Sequence, residues 1–187
     1  MMNSKNKAGG QAPPTLRAIE TEYRGYRFRS RLEARWAVFF DALNVEWAYE
    51  EEGFDLPSGW YLPDFRIRFQ GAYGFRPFIE IKPKGFITEN PRSTEHFKMQ
   101  DLVDASDDMG FILAGDPFDA RMRREISILY PLNTDDREHR FWEHHLWVKV
   151  DAFMKDAFAP LLDLRNPTVF AAALKARQAR FEHGEQG

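Results

Sequence analysis

The sequence predicts a mixed α/β fold, in which helices flank a central sheet and further helices follow at the C-terminal end. One observation is a run of apolar residues at helical spacing between Ser30 and Asn44. The second is a set of three stretches after it that have the alternation and composition of strands. The third is another helical stretch followed by a short buried strand. The predicted order is therefore helix, three strands, helix, strand.

The first helix is predicted over "SRLEARWAVFFDALN". Its apolar residues fall on one stripe of an amphipathic helix, formed by Leu32, Trp36, Phe39, Phe40 and Leu43. Ser30 and Glu33 have the S-x-x-E spacing of a capping box, in which the serine hydroxyl and the glutamate satisfy backbone donors of the first turn. Both features indicate a helix that starts at Ser30.

Three strands are predicted next. In "NVEWAYEEEGFDL", Val45, Trp47 and Tyr49 alternate with polar positions. The second strand is "GWYLPDFRIRF" around Asp64, and the third is "FRPFIEIKPKG". The intervening "QGAYG" is typical of a hairpin-like turn, so we expect the second and third strands to be neighbours.

The remaining elements follow from the same patterns. We predict a helix over Thr94–Asp108, a buried strand in "GFILAGDP", a strand in "REISILYP" and one or two helices over 135–158. Asn166–Phe181 is predicted as a last helix with Lys175, Arg177 and Arg180 near the negative end of its dipole. The aromatic residues Trp36, Trp47, Trp60 and Phe39 are assigned to the core.

Three regions are predicted along the chain. Residues 1–14 are polar and rich in glycine and proline, which is typical of a mobile arm. Residues 15–132 form the core domain, and residues 133–187 form a helical extension packed on that core.

Composition excludes several classes of function. With 187 residues, 43% of them hydrophobic, the chain can bury a sizeable core. The absence of cysteine excludes disulfides, thiolate zinc sites and cysteine nucleophiles. No stretch has the pattern of a signal peptide or a membrane span, so we expect a cytoplasmic protein without a membrane partner. The histidines at 139, 144 and 145 match no zinc-binding spacing.

Charge is segregated along the sequence. The net charge is −3, but arginines crowd the stretch that includes Arg27, Arg29 and Arg31, whereas residues 36–65 contain seven acids and no lysine or arginine. A solvated face explains such runs as well as the functional interpretation does. The functional interpretation is a rim that contacts phosphates beside an acidic site that binds a cation.

A cluster of charged residues is predicted within the strands. Glu80 and Lys82 share one face of "FIEIKPKG", and Asp64 follows Pro63 in the preceding strand. If these strands pair, Asp64 and Glu80 come close, and two adjacent carboxylates favour a bound cation. Oxygen ligands without sulfur point to Mg²⁺ or Mn²⁺. Taken singly, Asp64 is more often a turn aspartate, Glu33 a capping residue, and Glu80 with Lys82 a plain ion pair.

Together, Glu33 on a helix, Asp64 after a proline, and Glu80 with Lys82 in an E-x-K motif resemble the PD-(D/E)XK nuclease superfamily. The resemblance spans Tyr23 to Gly115. The chain looks like the branch that includes transposon end-cleaving endonucleases and small phage-borne nucleases. The resemblance implies an αβββαβ restriction-endonuclease-like core, which agrees with the predicted order of elements.

The resemblance also implies roles for individual residues. Glu33, Asp64, Glu80 and Lys82 would be catalytic. The metal would be held by Asp64, Glu80, the backbone carbonyl of Ile81 and Glu33, while Lys82 positions water and stabilises charge in the transition state. The candidate contacts to nucleic acid are Arg27, Arg29, Arg31 and Lys84.

The expected function is therefore a Mg²⁺-dependent (or Mn²⁺-dependent) DNA endonuclease of a phage or mobile element. DNA is the expected partner, with a protein that delivers the nuclease to its target and a homodimer as further possibilities. A different class remains open, namely a non-catalytic DNA-binding or protein-interaction adaptor that keeps the nuclease fold. Hydrolysis of RNA also remains open, because its metal chemistry is the same.

Overall fold

A five-stranded sheet forms the centre of the structure, a computed structural model that describes residues 18–68, 75–90, 92–106, 108–119, 125–131 and 158–181. The strands are β1 (Thr21–Tyr23), β2 (Tyr26–Phe28), β3 (Glu46–Tyr49), β4 (Phe54–Leu56), β5 (Gly59–Tyr61), β6 (Phe65–Arg68), β7 (Phe78–Lys82), β8 (Gly110–Ala114) and β9 (Ile126–Leu129). The helices are α1 (Arg31–Ala42), α2 (Phe86–Glu89), α3 (Thr94–Ser106), α4 (Ala159–Leu161) and α5 (Pro167–Gln178). The predicted arm at 1–14, the turn at 70–74, the three histidines and most of the helical stretch at 135–158 lie outside the described residues.

The order of strands in the central sheet is β3-β6-β7-β8-β9. All neighbours are antiparallel except β7 and β8, which are parallel, with Glu80 opposite Ile112. The parallel pair requires a crossover connection, and α3 lies within it. The predicted mixed α/β class, with helices around a central sheet, is confirmed.

The two faces of the sheet pack against different helices. Side chains alternate along each strand, so Phe65, Ile67, Ile79 and Ile81 share the core with α1. On the other face, Phe78 and Ile112 pack against an apolar group of α3, formed by Met99, Leu102 and Val103. The sheet is therefore covered on both sides, which explains why β8 is apolar and buried throughout and why β7 is buried along nearly its whole length.

Helix α3 lies very close to strand β8 at Gly110. A Cβ atom at this position would lie 2.6 Å from Sδ of Met99 and 2.8 Å from Cγ2 of Val103. Glycine therefore allows the helix and the strand to approach more closely than any other residue would permit.

Helix α5 packs against α1. Its buried side is formed by Val169 and three alanines, Ala172, Ala173 and Ala176, in the same core as the apolar face of α1. Just beyond α5, the Phe181 ring meets the Tyr23 ring edge to face at 6.3 Å between centroids. Arg177 also binds Asp116, which follows β8, through two hydrogen bonds of 2.9 and 3.0 Å.

The structure corrects two of the predicted strands. The stretch "NVEWAYEEEGFDL" contains β3 and β4, and "GWYLPDFRIRF" contains β5 and β6. The strands β4 and β5 pair with each other as a hairpin outside the central sheet, because a turn at Pro57–Ser58 joins them and Pro63–Asp64 ends the pairing. The short hairpin β1–β2 and helix α2 were not predicted.

The core assignment of Trp60 is wrong. Its side chain lies on the exposed face of the β4–β5 hairpin and is 59% exposed, whereas Trp36 and Phe39 are buried as predicted. The ring of Trp60 covers Gly53 so closely that a Cβ at position 53 would lie 2.1 Å from it.

Across the described ranges, no helix is both long enough and apolar enough to cross a membrane.

Candidate active site

Three buried carboxylates lie at one edge of the central sheet. Strand β7 ends there at Lys82, β3 ends at Tyr49, and β6 begins directly after Asp64. The N-terminus of α1 lies at the same edge. The residues Glu33, Asp64 and Glu80, whose side chains are here called the carboxylate cluster, are only 8%, 2% and 5% exposed. The structure thus places the predicted site residues from one helix and two strands in a single region.

Asp64 is held where the pairing of β6 and β7 ends. The last paired residues are Phe65 and Ile79, and beyond them Oδ2 of Asp64 accepts the N–H of Ile81 at 2.7 Å. Its side chain therefore continues the strand pairing and is directed toward β7. The other oxygen, Oδ1, accepts a hydrogen bond from the Arg29 guanidinium at 2.6 Å.

The electrostatic environment of Asp64 is unfavourable for its charge. Burial raises the pKa of Asp64 well above its ordinary value, and the carboxylates of Glu80 and Glu33 raise it further. The Ile81 N–H and Arg29 oppose this effect but do not cancel it. Asp64 is therefore a buried carboxylate with too little positive charge around it.

Glu33 serves both the helix end and the cluster. Ser30 accepts the N–H of Glu33 at 3.2 Å, as expected for a capping box, and donates its hydroxyl to Oε1 of Glu33 at 2.7 Å. The reciprocal bond comes from the N–H of Arg29, at 3.1 Å, instead of from Ser30. Tyr49 on β3 donates to the same carboxylate at 2.6 Å, so Glu33 faces the sheet.

Glu80 and Lys82 form an ion pair of 2.7 Å between Oε1 and Nζ. Tyr61, from the β4–β5 hairpin, donates its hydroxyl to Oε2 of Glu80 at 3.0 Å. Burial lowers the pKa of Lys82, but Glu80 and then Glu95 raise it more, so the pKa lies above its ordinary value. The amine is therefore positively charged at neutral pH and suits charge stabilisation better than proton abstraction.

The cluster has the ligand chemistry of a hard divalent cation. Asp64, Glu80, Glu33 and the Ile81 carbonyl are oxygen donors. The raised pKa of Asp64 reflects its burial and then the repulsion by Glu80 and Glu33, and a cation would offset both. The side chains are not arranged for coordination, however. Among the described residues, no three His, Cys, Asp or Glu side chains lie close enough together to hold one metal ion. The carboxylate oxygens are instead occupied by donors of the protein, notably Arg29 on Asp64 and Lys82 on Glu80.

Comparison with known proteins does not identify the chain. It matches no protein-family model, no curated protein and no solved structure. A functional proposal therefore depends on the residues of the site and their arrangement.

The four predicted contacts to nucleic acid are not all in one place. Arg29 forms an ion pair with Asp64 of the carboxylate cluster. Lys84, two residues beyond the end of β7, pairs with Asp119 at 2.6 Å. Arg31 is on the first turn of α1 and lines a cleft on the side of α5. Arg27 is on β2 and pairs with Glu20, with both side chains largely exposed.

Sequence reasoning missed the residues that hold the carboxylates in place. Tyr49 and Tyr61 donate to Glu33 and Glu80, and Glu95 lies 3.6 Å from Nζ of Lys82. Burial and these glutamates raise the pKa of both tyrosines, so they remain neutral donors. No local pattern in the sequence marks Tyr49 and Tyr61 as partners of the carboxylates, since both lie inside predicted strands. The contacts themselves depend on how the strands pair.

Proposed function

We propose that this chain is a metal-dependent endonuclease of the PD-(D/E)XK type that hydrolyses phosphodiester bonds in DNA. One observation carries the proposal: Glu33, Asp64 and Glu80 are buried together at one edge of the sheet, beside the charged Lys82. The order α1, β3, β6, β7, α3, β8 supports a restriction-endonuclease-like core, because it is the αβββαβ order that the resemblance implies. The same resemblance supports a role in a phage or mobile element.

The residues of the site have distinct roles in this proposal. Asp64, Glu80, the Ile81 carbonyl and Glu33 would hold Mg²⁺ or Mn²⁺, which supplies charge neutralisation at the phosphate and activation of water when bound. Lys82 contributes a fixed positive charge for the negative charge that develops on the phosphate. Tyr61 and Tyr49 orient the two glutamates, and Arg29 is placed to contact a phosphate once Asp64 binds the cation.

A second function is favoured by the way the carboxylates are occupied. Each of them already accepts hydrogen bonds from protein donors, and no three of the described ligand-type side chains are arranged around one point. This arrangement is what a non-catalytic adaptor that keeps the fold would have. Such an adaptor binds DNA or a protein partner without cutting.

The deciding experiment is a cleavage assay with purified protein. Supercoiled, linear and branched DNA, and single-stranded RNA, are incubated with Mg²⁺, with Mn²⁺ or with EDTA. Asp64→Asn and Lys82→Gln are compared with the wild type, and Glu46→Gln serves as the control. Glu46 is an exposed glutamate at the other end of β3, outside the carboxylate cluster.

The nuclease proposal predicts cleavage that requires a divalent cation. We expect Asp64→Asn to abolish it, and Lys82→Gln to reduce it about 10²- to 10³-fold, as for other residues that stabilise developing charge. Glu46→Gln should cut like the wild type. If no nucleic acid is cut and calorimetry finds Mn²⁺ binding that is the same in Asp64→Asn, the adaptor is the better explanation. If RNA is cut and DNA is not, the proposed metal-dependent hydrolysis is correct and the proposed substrate is wrong.

A further inference from the structure

A basic cleft lies between α1 and the end of α5. It has a volume of about 690 Å³ and is lined by four arginines, Arg31, Arg35, Arg177 and Arg180, together with Gln178 and Phe181. No described residue that lines it is acidic. We refer to it as the arginine cleft.

The fold brings these arginines together despite the electrostatic repulsion between their positive charges. Arg31 and Arg35 are four residues apart on α1, so they lie on the same face and repel each other. Arg177 lies in the last turn of α5 and Arg180 just beyond it, where the helix dipole favours positive charge. The dipole thus accounts for the position of the second pair of arginines.

One donor of Arg35 is left without a partner in the described part of the chain. Its Nε atom is buried and has no hydrogen-bond acceptor among the described residues. A buried donor without an acceptor is uncommon in proteins and calls for an explanation, such as an anion that binds there. Arg177, in contrast, is held by Asp116 and forms a fixed wall of the cleft.

The arginine cleft lies at the same end of the central sheet as the carboxylate cluster. Arg31 precedes Glu33 by two residues on α1, and Arg29, two residues before Arg31, reaches Asp64. On the other wall, Arg177 binds Asp116, just after β8, and β8 runs parallel to β7, which ends at Lys82. Both walls of the cleft are thus anchored at the end of the sheet where the carboxylate cluster lies.

We propose that the arginine cleft binds the phosphate backbone of the nucleic acid beside the bond that is cut. This inference rests on the proposed function. Guanidinium groups carry the charge opposite to that of phosphate and can donate paired hydrogen bonds to its oxygens. Backbone contacts carry no sequence information, so the cleft increases affinity and sets the position of the strand without selecting a sequence. It also explains how a chain with a net charge of −3 can bind a polyanion.

The test is binding of a fluorescently labelled DNA duplex, measured by anisotropy in EDTA so that the duplex stays intact. Arg35→Gln, Arg180→Gln and the double variant are compared with the wild type over a range of salt concentrations. The control is Arg165→Gln, which removes the same charge from a side chain that is 91% exposed before α5 and outside the cleft. Thermal unfolding checks each fold, and Arg180 is exposed, so its variant tests the cleft even if Arg35→Gln unfolds.

We expect each cleft substitution to weaken binding about threefold to tenfold, for any duplex sequence, and to reduce the slope of log affinity against log salt by about one. Arg165→Gln should bind like the wild type. The proposal would be overturned if Arg165→Gln lost as much affinity for the duplex as the cleft variants, or if the cleft variants lost none.

Two further probes separate other ligands from nucleic acid. Inorganic phosphate that binds with the same Arg35 dependence, while the duplex does not, would overturn the assignment in favour of a small anion. A polyglutamate peptide that displaces the duplex at equal charge concentration would favour an acidic protein and overturn it too. If the duplex binds through the cleft but is never cut, the cleft is correct and the nuclease is not. If DNA is cut and the cleft variants bind it like the wild type, the nuclease is correct and the cleft is not.

Discussion

Asp64 accepts hydrogen bonds from two donors that differ in their freedom to move. The N–H of Ile81 is fixed in the backbone of β7, whereas the Arg29 side chain is 56% exposed and extends from the end of the β1–β2 segment. Arg29 can therefore leave Asp64 without disturbing the sheet. In the proposed nuclease it occupies the carboxylate oxygen that a cation needs, and it competes with that cation.

This competition leads to a prediction about metal affinity. Arg29→Gln should increase the affinity for Mn²⁺ about tenfold, because it removes a positive charge that neutralises Asp64. Titration calorimetry measures the change. Arg27→Gln is the matched control, since it removes the same charge two residues away at a side chain paired with Glu20. Equal or weaker Mn²⁺ binding in Arg29→Gln would show that Arg29 does not compete with the cation.

Substitution of Tyr61 should lower the affinity for Mn²⁺. Its hydroxyl orients Glu80, and removal of such a supporting hydrogen bond commonly lowers metal affinity about 10- to 100-fold. Tyr61→Phe is therefore expected to weaken Mn²⁺ binding in the same titration. Tyr26→Phe, at a tyrosine that is 41% exposed on β2, should leave it unchanged. Unchanged affinity in Tyr61→Phe would mean that Glu80 is not a ligand or that its orientation is set elsewhere.

At the level of elements, the N-terminus of α1 joins fold stability to the site. The same Ser30 hydroxyl accepts a backbone N–H of the first turn and donates to Glu33. The start of the helix and the position of a site carboxylate therefore depend on one side chain.

Ser30→Ala should lower the free energy of unfolding by about 1 kcal/mol, the usual effect of removing an N-cap. Urea denaturation followed by circular dichroism measures it. Ser30→Thr keeps a hydroxyl that can cap the helix and should differ from the wild type by less than about 0.5 kcal/mol. If alanine is tolerated as well as threonine, the cap contributes little and Glu33 is held by Tyr49 instead.

The predictable elements are those whose residues carry a local signal. The start of α1 follows from Ser30 and Glu33, and its length from the stripe around Trp36. The β1–β2 turn also had a local signal in Gly25, because glycine readily adopts the positive φ that Arg24 and Gly25 both have there. The strands on either side are only three residues each, too short to show a pattern of their own. The exposure of Trp60 and the bonds of Tyr49 and Tyr61 had none, because they depend on strand pairing between distant residues.

Across the whole molecule, an ion pair joins the C-terminal helix to the sheet. Burial raises the pKa of Asp116, but Arg177 and the N–H groups of Asp119 and Phe118 lower it more, so the pKa lies below its ordinary value of 3.8. The charged form is thus favoured by folding. Its contribution to stability is present above pH 3.8 and is lost as the pH falls below that value.

Arg177→Gln should therefore lower stability at pH 7 by about 1 kcal/mol, a modest value because the Arg177 side chain is 47% exposed and screened by water. The difference from the wild type should shrink as the pH falls below 3.8 and through the lowered pKa of Asp116. Urea denaturation at pH 7 and pH 3 tests this. Lys175→Gln, on an exposed face of α5, controls for loss of charge near the helix end. A difference that does not depend on pH would point to packing instead.

The exposed Trp60 gives the protein an optical reporter of its own. Tryptophan in water emits at longer wavelength than buried tryptophan such as Trp36, and iodide ions reach and quench only rings at the surface. Trp60 is carried by the same hairpin that places Tyr61 on Glu80. A decrease in iodide quenching that disappears in Trp60→Phe would therefore report, without any label, when a bound molecule covers the hairpin beside the carboxylates.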